Sequence, residues 1–203
     1  MKLTRYEQEM LDGKHGEAKR YAMEKLVAFG EAVGAKEMVK ISFNHYIGCV
    51  AGLSPTSKEY EQFEWGQGLV LQPFWDMGAK LADDPNLTCC CDPFLMQIDR
   101  YEEEGTPWNN KYYKMPEVVY KATVQGYNTM KEQGWLPTYA CTPHFNSVLP
   151  KQGEYAASCE SSCACYLNSV LGVKTNRESA VIAPYATITG CIPKYGMLLD
   201  ENR

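Results

Sequence analysis

Cys141-Thr142-Pro143-His144 places a thiol, a hydroxyl and an imidazole within four residues, with a proline to stiffen the turn. A cysteine just after a strand, held in such a turn, suits iron ligation or nucleophilic attack. A buried strand-end cysteine followed by a turn proline is the plainer alternative. Cys159 and Cys163 are four residues apart and are expected to share a helical face, with Cys165 pointing elsewhere. Their spacing matches no recognised zinc or ferredoxin pattern. Cys89, Cys90 and Cys91 are consecutive, so on a strand at most two of these thiols can face one ligand.

The run from Asn168 to Glu178 is of another kind: Asn168, Ser169, Lys174, Thr175, Asn176 and Arg177 surround Gly172. Read as a loop between two helices, it suits an oxyanion, a carboxylate or a phosphate. Arg177 offers a bidentate fork, and amides at the next helix N-terminus add donors and a favourable dipole. A capped surface turn with solvated charges is the alternative. His45 falls just past a predicted strand, where a general acid or base could work and where a structural histidine is also common. His15 reads as a solvated turn residue. GxSxG, HExxH, Walker A and GxGxxG patterns are absent, which excludes the commonest hydrolase, zincin and nucleotide-binding readings.

The elements that must carry these groups follow from periodicity and caps. Thr4-Arg5-Tyr6-Glu7 is a capping box that opens a helix ending at Gly13. A second helix is expected over 16–30. Residues 38–43 alternate as a strand, and 87–91 and 135–141 read as two more, closed by Asp92-Pro93 and Thr142-Pro143. Further helices are expected over 58–82, 115–134, 161–171 and 178–188, with 101–115 irregular and Gly172 and the Thr175-Asn176 pair as stop and cap. Strands alternating with helices predict a layered α/β/α domain with a largely parallel sheet. Ligands of such sheets bind beyond the carboxyl ends of the strands, and His45, Cys89–Cys91 and Cys141–His144 all fall at predicted strand ends. No repeat, low-complexity tract or linker divides residues 1–203, so no internal domain boundary is expected.

Composition narrows the class. The chain has 203 residues, 45% hydrophobic and 22% charged, which is ordinary for a globular protein. A net charge of -5 leaves no basic footprint for nucleic acid. No apolar run is long enough to cross a membrane, and the polar N-terminus has no apolar signal core. A cytoplasmic protein is expected. The nine cysteines are then expected to be thiols, buried as small apolar side chains or engaged with metal.

Several segments together resemble one family, aconitase X. They are Leu3-Thr4 through Glu7 to Gly13, Gly34-Ala35 through Ile41 to His45, and Trp135-Leu136-Pro137-Thr138-Tyr139-Ala140-Cys141-Thr142-Pro143. The most specific is Glu160-Ser161-Ser162 followed by Asn168-Ser169-Val170-Leu171-Gly172-Val173-Lys174-Thr175-Asn176-Arg177-Glu178. The tail from Ala186 through Pro193-Lys194-Tyr195-Gly196 to Glu201 also fits. The matches are collinear and span essentially the whole chain. The resemblance implies an aconitase-like fold and an iron–sulfur hydro-lyase acting on a small hydroxylated acid. It further implies that this chain is the N-terminal half of a catalytic large subunit working with a small swivelling subunit or domain. It makes Cys141 a cluster ligand with the other ligands expected downstream, beyond Arg203, His45 and Ser161 catalytic, and Asn168, Ser169, Thr175, Asn176 and Arg177 substrate-binding. Departures are local: Cys89-Cys90-Cys91-Asp92-Pro93 stands where the family carries a Thr-Thr-Leu-Asn-Pro-like run. Cys159, Cys163 and Cys165 occupy positions that are commonly Ala, Ser or Val. A non-catalytic relative that holds metal or contacts a partner subunit is the rival reading.

Overall fold

Thr4 opens the first helix as its spacing to Glu7 predicts. The Thr4 hydroxyl accepts the Glu7 amide at 3.3 Å, and Glu7 Oε2 accepts the Thr4 amide at 2.6 Å, so two otherwise orphaned donors are satisfied reciprocally. This helix, α1 (Arg5–Leu11), leads into α2 (Glu17–Ala32). The latter buries Ala18, Ala22, Met23, Leu26 and Gly30 along one stripe. The computed structural model describes residues 1–47, 77–92, 128, 130–138, 142–145, 147–179 and 182–202.

The predicted single strand over 38–43 is two strands in different sheets. Strand β1 (Met38–Lys40) pairs antiparallel with β6 (Cys191–Pro193), and the chain turns at Ile41-Ser42 before β2 (Phe43–Ile47) begins. A second sheet holds β2 with β3 (Thr88–Asp92), β4 (Leu136–Pro137) and β5 (Ala156–Ser158) in the order β4-β3-β2-β5, with every pairing parallel. Beyond β5, residues 174–178 run parallel to it through bridges at Tyr155–Lys174 and Ser158–Arg177 and the Glu178 amide bonding to Ser158 O at 2.7 Å.

Helices cover both faces, as the α/β/α reading requires. On one face Tyr46, Cys89, Cys91, Ala157 and Cys159 pack with Met23 and Leu26 of α2 and with α4 (Ile182–Thr189). All of α4 is buried, because it lies between α2 and the sheet. Its threonines stay satisfied there by bonding back one turn, Thr187 to Ala183 O at 3.0 Å and Thr189 to Tyr185 O at 2.8 Å. On the other face Phe43, Cys90 and Ala156 meet Cys163 and Leu167. These come from α3 (Ser161–Tyr166), which continues as a π turn over Leu167–Leu171 and stops at left-handed Gly172.

The pleat therefore divides the cysteines. Cys159 precedes α3 and packs on the α2/α4 side, while Cys163 packs on the opposite side and Cys165 is exposed. The expected shared face of Cys159 and Cys163 does not form, because α3 begins only at Ser161. The helix expected over 58–82 is not helical where described, at 77–82, since Gly78 takes a positive φ of 66°. The expected 115–134 helix is described near its end, where 130–132 are helical. Residues 101–115 lie outside the described residues. Among the described residues no helix is long and apolar enough to cross a membrane.

Candidate active site

Residues paired across a parallel sheet project their side chains from the same face. His45 pairs with Cys90 on one side and Ser158 on the other, and Ser158 bridges to Arg177. Register thus sets Cys90, His45, Ser158 and Arg177 in one row across the α3 face, with His45 and Arg177 two strand spacings, about 10 Å, apart. Ser158 is the last residue of β5, whereas Cys90 is the middle residue of β3. His45 is central in β2 and not past the strand's end, because the parallel strand starts only at Phe43.

His45 is fully buried, and neither ring nitrogen has a hydrogen-bond partner among the described residues. Burial, with a smaller contribution from nearby His144, pushes its pKa down to about 4, so the ring is neutral at neutral pH. His144, on the 3-10 turn Pro143–Phe145, stacks on Tyr166 at 4.4 Å and 17°. Its Nδ1 is likewise without a partner, and burial lowers its pKa. Beside them burial pushes the Cys90 thiol up to about 12 and the Cys163 thiol up to about 11, against hydrogen bonds from Ser147 and Ser158 that favour the thiolates. The inner part of the row gathers neutral imidazoles and protonated thiols.

The outer end carries the charge. The segment predicted as a helix-capping loop is extended: residues 174–178 form the sheet's edge, and α4 follows, with the Ser179 hydroxyl accepting the Ile182 amide at 3.2 Å. Arg177 therefore sits on the sheet's edge, two residues before Ser179, whose carbonyl accepts the Ala183 amide of α4 at 3.2 Å. It is exposed and forms no ion pair among the described residues. Ser161, the first residue of α3, is exposed, with its hydroxyl 3.4 Å from Glu160 Oε1. Ser169 is exposed on the π turn.

Three predicted binding residues use their polar groups within the chain. Asn168 donates to Ala164 O at 2.9 Å and Thr175 O at 2.8 Å, and its Oδ1 accepts the Thr175 amide at 3.4 Å. The Thr175 hydroxyl donates to Asn176 O at 2.8 Å. Asn176 donates to Tyr195 O at 3.1 Å and accepts the Met197 amide at 2.8 Å. These residues brace the edge segment. Sequence reasoning passed over Glu178, which is 2% exposed and accepts the Tyr195 hydroxyl at 2.8 Å. No signal in the sequence marked it, because only the pairing of residues 174–178 beside β5 buries it.

Cys141 lies outside the described residues. Among those described, no group of three or more His, Cys, Asp or Glu side chains could hold a metal ion. Cys89 and Cys91 face away from Cys90 and Cys163, and burial disfavours the thiolate form a cluster needs. The described donor set does not fit a self-contained iron–sulfur site.

The family model of the aconitase X first domain matches residues 1–201. The chain is similar to the phosphomevalonate dehydratase large subunit of Methanothermobacter thermautotrophicus, 34% identical over 201 residues, covering 99% of this chain and 45% of that one. It is also similar to the cis-3-hydroxy-L-proline dehydratase of Hypocrea jecorina, 28% identical over 203 residues, all of this chain and 30% of that one. Among solved structures, the holo-form of Thermococcus kodakaraensis aconitase X superposes with a TM-score of 0.74 at 28% identity, over 100% of this chain and 45% of that chain. The chain spans less than half the length of these relatives.

Proposed function

The chain belongs to the aconitase X family, and from that premise we propose that it is the N-terminal part of a dehydratase that removes water from a small hydroxylated carboxylic acid. The observation that carries this is the alignment along essentially the whole chain with relatives named as dehydratases of two different substrates, phosphomevalonate and cis-3-hydroxy-L-proline. The site geometry is compatible with that work. Arg177, exposed at the end of the polar row, binds the substrate's carboxylate or phosphate through its planar fork. Ser161 and Ser169 add hydroxyls from the α3 side, and Asn168, Thr175 and Asn176 keep the edge segment in shape. His45, neutral and with both ring nitrogens unpartnered among the described residues, holds or moves a proton within the row.

The iron–sulfur centre belongs to the proposal with Cys141 as this chain's ligand and the remaining ligands outside the described residues. The rest of a large subunit and a small swivelling subunit or domain are the proposed partners, in a cytoplasmic setting. The rival, a relative that only holds metal or contacts a partner, draws on the surplus of cysteines. The burial of Cys89, Cys90, Cys91, Cys163 and Cys191 gives those thiols a packing role instead.

The test is to purify the complete protein anaerobically and incubate it with phosphomevalonate or cis-3-hydroxy-L-proline, following loss of one water by mass spectrometry. Dehydration of either substrate supports the reading. Failure with both in protein that retains its iron favours the non-catalytic relative.

A further inference from the structure

Arg177 projects from the α3 face without a partner among the described residues, so the backbone that carries it fixes the face and the point from which it reaches out. Its neighbours Asn176 and Glu178 fall on the opposite side of the pleat. Both are tied to one short stretch, Tyr195-Gly196-Met197. We propose that Asn176 and Glu178, gripped by Tyr195–Met197, are positioning residues that fix where Arg177 meets the substrate's acid group. This rests on the reading of Arg177 as the acid-binding residue.

The grip is closely built. Asn176 spans two backbone groups of the stretch, Tyr195 O at 3.1 Å and the Met197 amide at 2.8 Å. Glu178 Oε2 takes the Tyr195 hydroxyl at 2.8 Å in a buried setting. Gly196 lies between them with a φ of 56°, and a Cβ there would come within 2.5 Å of Asn176 Oδ1, so only glycine permits this approach. The stretch is itself anchored: the Tyr195 ring meets Phe29 of α2 edge-on at 5.4 Å, and Asn202 donates to Gly196 O at 2.8 Å. On the other flank the Glu178 amide is held by Ser158 O at 2.7 Å, within the row that contains His45. A shift of Tyr195–Met197 moves Asn176 and Glu178 together, and Arg177 between them must follow. A displacement of about 1 Å is enough to degrade binding through a bidentate fork.

The experiment uses the complete protein with phosphomevalonate as the probe. Tyr195→Phe, a mild change, and Gly196→Ala are each made in the native background and in Arg177→Ala. Native Arg177 is expected to react with phenylglyoxal, read by peptide mass spectrometry, and phosphomevalonate or inorganic phosphate is expected to slow that reaction. Both clamp variants should lose most of this protection and raise KM about tenfold while kcat changes less than about twofold. In the Arg177→Ala background they should add nothing further, the non-additivity expected of residues acting through one group. If both anions leave native labelling unchanged, Arg177 is not the acid-binding residue and the clamp proposal falls with that reading. If native protection is present and the clamp variants keep it, or if their effects add in full to Arg177→Ala, the clamp alone is overturned.

Discussion

His45 and Arg177, 132 positions apart in the chain, are both in register with Ser158, so one residue of β5 fixes their separation and common face. A buried neutral imidazole and an exposed guanidinium thus stand in one row with Ser158 between them. The first suits proton handling out of water, and the second suits capture of an anion from water.

Arg177 is expected to be needed for binding more than for turnover. Arg177→Lys keeps the charge and loses the fork, so KM in the complete protein should rise roughly tenfold, with Arg177→Ala worse, since a hydrogen bond to a charged group is worth about 1.5–3 kcal/mol. Steady-state kinetics with phosphomevalonate check this, and an unchanged KM and kcat would remove Arg177 from the site.

Acid should weaken the fold through His45. Its folded pKa, about 4, lies below the ordinary 6.5, so the fold favours the neutral ring. The associated stability is complete above pH 6.5 and is lost as pH falls toward 4, amounting to about 3 kcal/mol over that window. Denaturant titrations at pH 7 and pH 4.5 should show a smaller acid loss in His45→Gln than in the native protein. Burial lowers the pKa of His144 as well, so a remaining acid-sensitive component is expected from that ring.

Cys141→Ser in the complete protein is expected to abolish iron incorporation after anaerobic reconstitution with iron and sulfide. The readout is iron per chain with visible absorption. Normal iron content in that variant would refute the ligand assignment.

Thr4→Ala removes the hydroxyl half of the first capping box and should lower stability by about 1 kcal/mol. The change lies at the start of α1, away from the polar row, so thermal unfolding should register it while phosphomevalonate KM does not move. A KM shift comparable to that of Arg177→Lys would connect α1 to the site in a way the packing does not suggest.

What the sequence by itself determined was local or periodic. Thr4 and Glu7 meet three residues apart, so their capping box needs no tertiary information. The stop at Gly172 follows from a residue that takes a left-handed φ at little cost. The alternation in Cys89-Cys90-Cys91 already required the thiols to part, and the long Asn168–Glu178 match marked the segment that carries Arg177. Tertiary structure decided the rest, because it depends on partners distant in the chain. Whether 38–43 forms one strand or a junction between two depends on Cys191–Pro193 being present to pair with Met38–Lys40. Whether 174–178 caps a helix or edges a sheet depends on β5 offering unpaired backbone groups beside it. Local propensity at Thr175-Asn176 favours a cap, and the hydrogen bonds of Lys174 and Glu178 to the β5 strand outweigh it. That choice turns Arg177 to the same face as His45 and buries Glu178 on the other side.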